Sequence, residues 1–66
     1  MRVSVNGQPQ SLADGASVAS LLEFFDLLPQ RVAVEVNLDL VRRADFADTE
    51  LRDGDRIEIV TLVGGG

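Results

Sequence analysis

Leu51-Arg52-Asp53-Gly54-Asp55-Arg56-Ile57-Glu58-Ile59-Val60-Thr61-Leu62-Val63-Gly64-Gly65-Gly66 closes the chain, and its reading decides the rest. Asp53-Gly54-Asp55 is a turn signature, because Gly and Asp accept backbone conformations that other residues avoid. From Arg56 to Leu62 the residues follow a period of two, with Ile57, Ile59 and Thr61 on one face and Arg56, Glu58, Val60 and Leu62 on the other. That pattern is a strand with one buried face. Val60 and Leu62 are then apolar residues on the face turned away from the core, beside the glycines. The glycine run reads as a flexible stem that ends in an α-carboxylate. A stem without side chains can enter a narrow tunnel that any Cβ would block. Residues 1–62 are read as one domain and residues 63–66 as its tail.

Upstream of this stretch, Met1, Val3 and Val5 alternate with Arg2, Ser4 and Asn6, which marks a half-buried strand. Asn6-Gly7 is a strong hairpin signal, since both residues tolerate positive φ. A second strand is expected from about Gln8 to Leu12, and Pro9, which lacks an N–H, pushes it toward a sheet edge or a bulge. Asp14-Gly15 is a turn, and Ser17 is a helix N-cap. Ser20 rather than Glu at the third helical position argues against a full capping box. Val18, Leu21, Leu22 and Phe25 fall on one helical face. Pro29 is expected to end the helix, with Leu27 and Leu28 folding back over the core. Val32, Val34 and Val36 mark a third strand with a β-branched buried face. Leu40 and Val41 suit a short strand, and Arg43 to Phe46 one helical turn with Phe46 anchored in the core.

The order is hairpin, helix, strand, irregular crossover, strand. One helix covers only one face of a four- or five-stranded sheet, so the other face meets solvent or a partner. The fold class is α+β.

Composition narrows the function. Sixty-six residues make one small domain, marginal but able to fold without staples. Without cysteine or histidine there is no disulfide, no thiolate nucleophile, no common metal ligand and no Ser-His-Asp constellation. Tyrosine, tryptophan and lysine are absent too. Carboxylates, arginines, a few hydroxyls and the termini are a poor kit for an enzyme and an adequate one for a carrier or binding module. The net charge of −5 disfavours nucleic acid, whose phosphates require cationic partners. It suits a basic patch on a protein partner. No apolar stretch reaches the ~20 residues of a membrane span and no signal peptide opens the chain, which therefore reads as cytoplasmic. Asp48, Glu50, Asp53, Asp55 and Glu58 lie close in sequence, but their spacing does not fit a Ca²⁺ loop of the EF-hand type, and a solvated turn is the simpler reading.

Together these segments resemble a known family. A β-grasp order closed by Gly-Gly is similar to the ubiquitin-like sulfur carriers, and within them to the ThiS family of thiamine thiazole biosynthesis. The resemblance rests on Val5-Asn6-Gly7, Asp14-Gly15-Ala16-Ser17-Val18, Leu21-Leu22, Val32 to Asn37, Leu51 to Val60 and the terminal Val63-Gly64-Gly65-Gly66. It covers nearly the whole chain. The crossover departs from it: where the family often has Asn-Gly followed by proline, this chain has Asn37-Leu38 and Arg42, which bears on the loop shape there.

The resemblance implies a chemistry. A partner E1-like (ThiF-like) adenylating enzyme activates the Gly66 carboxylate with ATP, a sulfur donor displaces AMP, and the resulting thiocarboxylate supplies a thiazole synthase (ThiG-like). Gly66 is then the modified residue, and Gly64 and Gly65 form the arm that enters partner active sites. The reach from Val63 to Gly66 is at most ~14 Å when extended. The chain itself binds no cofactor or metal in this scheme, has no catalytic residue, and is a monomer when free. Val60, Leu62 and Val63, with the carboxylates of Asp53, Asp55 and Glu58, are the expected partner-binding surface. Three other readings stay open at this point: the small subunit of molybdopterin synthase, with the same chemistry on Gly66; a ubiquitin-like conjugation tag; and a plain binding module whose tail has no role.

Overall fold

A computed structural model of the chain describes residues 1–62. Five strands and one helix follow in the order β1 (Arg2–Val5), β2 (Gln8–Ser11), α1 (Val18–Phe24), β3 (Val32–Val36), β4 (Asp39–Val41) and β5 (Arg56–Thr61). Single 3₁₀ turns at Pro29–Arg31 and Arg43–Asp45 lie between them. The sheet order is β2-β1-β5-β3-β4. The β1–β5 pair is parallel and the other three are antiparallel, so the sheet is mixed. Helix α1 packs across one face, giving the ubiquitin-like β-grasp architecture. The last strand in sequence is thus the middle strand in space.

The alternation read from the sequence sets the core. Val3, Val5, Val32, Val34, Ile57 and Ile59 point from the sheet toward Val18, Leu21 and Leu22 of α1, and all are buried. Phe46 joins them from the 3₁₀ turn as expected. Asn6 and Gly7 turn β1 into β2 with φ of 51° and 82°, the doubly positive geometry that matches strand twist. β2 carries Pro9 on the outer edge of the sheet, where its missing N–H is not needed by a neighbour.

A helix of seven residues is too short to persist alone, so its ends must be held. At the N-terminus the otherwise orphaned donors all find acceptors. Val18 N–H donates to Thr49 O at 3.0 Å, Ala19 N–H to Phe46 O at 3.0 Å, and Ser20 N–H to Ser17 Oγ at 3.1 Å. Leu51 N–H returns to Ala16 O at 2.8 Å, and the Leu51 side chain is buried beneath the helix start. The segment from Phe46 to Leu51 is therefore a clamp on α1 as well as a crossover.

Four expectations change. The capping box is complete after all, because Ser20 Oγ accepts from Ser17 N–H at 2.8 Å and a hydroxyl does the work expected of Glu. Pro29 does not end the helix; it opens the following 3₁₀ turn. The helix stops at Phe24, with Asp26 in the left-handed region at φ 59°. There Leu27 N–H donates to Leu22 O at 2.8 Å and Asp26 N–H to Glu23 O at 3.0 Å, the bond pair of a Schellman cap. That cap turns Leu27 onto the core, but Leu28 points outward and is exposed. Lastly, Asn37 and Leu38 form a two-residue hairpin turn between β3 and β4, with φ of 53° and 75°. Leu38 thus holds a conformation usually left to glycine.

Candidate functional site

The functional reading centres on the end of β5, and the fold fixes that end from one side. Leu62 N–H donates to Arg31 O at 2.7 Å, which ties the last described residue to the segment entering β3. The expectations for Val63, Gly64, Gly65 and Gly66 lie outside the described residues.

On the outer face of the sheet, Val60 and Leu62 are 60% and 50% exposed, as the period-two reading required. They have company that the sequence did not announce. Ala33 is the cross-strand partner of Val60, and Leu40, 69% exposed, stands opposite Glu35. Ala33, Leu40, Arg42, Arg43 and Leu62 line a shallow cleft of about 420 Å³. Leu40 was legible as a strand residue, but which face it takes depends on the Asn37–Leu38 turn, and that turn has no glycine to announce it. Glu35 and Glu58 sit directly across from each other beside this apolar group.

Asp53 and Asp55 belong elsewhere. Asp53 Oδ1 accepts from Arg2 N–H at 2.7 Å. Asp55 accepts from Arg52 N–H at 2.8 Å and from Asn37 Nδ2 at 2.9 Å. These carboxylates close the turn before β5 and fasten it to β1 and to the β3–β4 hairpin. Leu62 lies seven positions after Asp55, about 23 Å along a strand at ~3.3 Å per residue. The structure therefore splits the expected partner surface. Val60 and Leu62 flank the exit of the chain from β5, Glu58 lies midway, and Asp53 and Asp55 serve the opposite end of the strand.

A residue that sequence reasoning used only as a turn signal does more here. The Asn6 side chain accepts from Ile59 N–H at 2.8 Å and donates to Ile59 O at 3.1 Å. It supplies to β5 the bond pair that another β1 residue would have supplied had the strand continued. Among the described residues no cluster of three or more Asp and Glu is arranged to hold a metal ion. Among them, too, no helix is long and apolar enough to cross a membrane.

The arrangement anchors β5 on both sides and exposes an apolar group at Val60 and Leu62 near its end. The family model for the ThiS family matches residues 3–66. The chain is 32% identical over 66 residues to the sulfur carrier protein ThiS of Escherichia coli, covering all of both chains. It is 35% identical over 66 residues to a thiazole synthase of Paramagnetospirillum magneticum, matching throughout its own length but spanning only 20% of that protein. The crystal structure of the thiamine biosynthesis protein ThiS from Geobacter metallireducens superposes with a TM-score of 0.85 at 33% identity, with both chains covered completely. By its sequence, its fold and its full-length match to these proteins, the chain belongs to the ThiS family.

Proposed function

We propose that this chain is a sulfur carrier for thiazole formation and that Gly66 bears the sulfur. The observation that carries the reading is that Val63-Gly64-Gly65-Gly66 follows β5, the middle strand of the sheet, with one residue between them in the sequence. A carboxylate resists nucleophilic attack because its charge and resonance make it a poor electrophile. An adenylating partner removes that resistance: the Gly66 carboxylate attacks the α-phosphorus of ATP, pyrophosphate leaves, and an acyl adenylate forms. A sulfide-equivalent nucleophile then adds at the acyl carbon, a C–S bond forms, and AMP departs with one of the original carboxylate oxygens. The product is a terminal thiocarboxylate, whose sulfur passes to a thiazole synthase.

In this scheme the nucleotide and the bases belong to partners, and the chain contributes its body as a handle and its tail as the substrate. Gly64 and Gly65 are the arm, and Val60, Leu62 and Val63 the apolar docking group at its root. The presence of a matching segment inside a thiazole synthase supports that enzyme as the consumer. The family match favours this pathway over the small subunit of molybdopterin synthase.

Intact mass measurement after incubation with ATP, a sulfide source and the adenylating enzyme tests the reading. A gain equal to the replacement of one oxygen by sulfur, located at Gly66, is the expected result. Removal of Gly65 and Gly66 should abolish that gain and leave the melting temperature unchanged. A truncated chain that still supports thiazole formation would sink the proposal, and an isopeptide adduct stable to alkali would instead identify a conjugation tag.

A further inference from the structure

Strand β5 has two neighbours along its first half and one strand neighbour along its second. Its backbone groups alternate between them. Those of Arg56 and Leu62 face the β3 side, where Asn37 N–H meets Arg56 O at 2.7 Å and Leu62 N–H meets Arg31 O at 2.7 Å. Those of Ile57 and Ile59 face the β1 side. Asn6 N–H donates to Ile57 O at 2.8 Å, and the Asn6 side chain then takes both groups of Ile59. At that point β1 has ended and the chain turns away through Gly7. By the same alternation the N–H and C=O of Thr61 face the β1 side, and among the described residues no strand and no side chain meets them. Beside this open edge, between β2 and the end of α1, is a cleft of about 550 Å³ lined by Gln8, Gln10, Phe25, Leu27 and Thr61, with no charged side chain among them.

We propose that this edge is a strand-addition site for an extended segment of a thiazole synthase, which pairs with Thr61 and lays neutral side chains into the adjoining cleft. The inference rests on the carrier reading above. Two features select this occupant. The thiazole synthase of Paramagnetospirillum magneticum contains a segment matching all 66 residues, so in that protein a segment similar to this chain is tethered to the rest of the synthase. The sequence also continues for four residues beyond Leu62, beginning two positions after Thr61. A strand that grips Thr61 is aligned to guide those residues onward. Main-chain pairing is also the recognition a glycine stem offers, since it requires no side chains.

Amide hydrogen exchange and one substitution test this. In the free chain the Thr61 amide should exchange at least tenfold faster than that of Ile59, which Asn6 protects. With a saturating thiazole synthase from the same genome, Thr61 should slow at least tenfold. Thr61→Pro removes an N–H that β3 does not use, because Thr61 and Val32 form a non-hydrogen-bonded pair. It should weaken synthase binding at least tenfold, while Thr61→Val stays within twofold of the unaltered chain. If the proline variant fails to fold, a synthetic chain with an ester in place of the Thr61 amide makes the same comparison. A Thr61 amide already slow in the free chain, or a folded proline or ester variant that binds within twofold, overturns the inference. An unaltered chain that acquires sulfur but never binds the synthase overturns it and spares the carrier chemistry; one that acquires no sulfur overturns both.

Discussion

At the scale of single residues, Asp26 and Leu38 hold positive φ, at 59° and 75°, where glycine would sit without strain. A left-handed conformation costs an L-residue about 1–2 kcal/mol, and Asp is more tolerant than Leu because its short polar side chain bonds locally. Asp26→Gly and Leu38→Gly are each expected to stabilise the fold by up to ~1 kcal/mol once the added freedom of the unfolded chain is subtracted. Leu38 should gain more, since its exposed side chain contributes little packing. Differential scanning calorimetry would register ~4–8 °C per kcal/mol in a domain of this size. Asn6→Gly separates two roles in one residue, because glycine keeps the turn and loses the bonds to Ile59. It should destabilise by about 1–3 kcal/mol, a loss read in urea, with faster amide exchange at Ile59. These residues also show where the sequence was readable. Asn6-Gly7 announced its turn through residue types that favour it. Asn37-Leu38 and Asp26 adopt similar geometry without glycine, so nothing local disclosed them.

At the scale of elements, α1 depends on its caps. Ser17 and Ser20 satisfy each other's backbone N–H groups, and the 46–51 segment takes the rest. Ser17→Ala should cost ~0.5–2 kcal/mol, as other N-cap losses do. Ser17→Ala with Ser20→Ala should cost less than the two single losses added, because the pair acts as one unit. Chemical denaturation of the unaltered chain and the three variants in a double-mutant cycle checks this, and strict additivity would refute the reciprocal box. The strands β1, β3 and β5 were legible because their alternation is local. The clamp from Phe46 to Leu51 was not, because it is made of backbone atoms that meet α1 across about thirty residues and leave no side-chain signature. The candidate site divides along the same line. The apolar exit at Val60 and Leu62 follows from the period of β5, whereas the contribution of Leu40 and the diversion of Asp53 and Asp55 into turn bonds follow only from the pairing.

At the scale of the whole molecule, a chain of 66 residues has little stability to lose. Folded domains hold ~0.05–0.15 kcal/mol per residue, so the total here is about 3–10 kcal/mol. Ile57 is fully buried at the centre of the sheet, in register with Val5 on one side and Val36 on the other. Ile57→Ala should cost ~2–5 kcal/mol, a large share of that total. Its urea midpoint should fall accordingly, and a shift below 1 kcal/mol would show that the middle strand is not the keystone of the core. Removing tail glycines, by contrast, should leave that midpoint where it is.

The strand order has one more consequence, for the sequence of events in synthesis. β1 and β2 form one hairpin and β3 and β4 another, and each joins the sheet only through β5. A nascent chain that has not yet made Arg56 therefore holds two separate ribbons, and a lone two-stranded hairpin is at best marginal in water. β5 is the last of the five strands to be made and the one that unites them, so the body becomes solid only once β5 has been added.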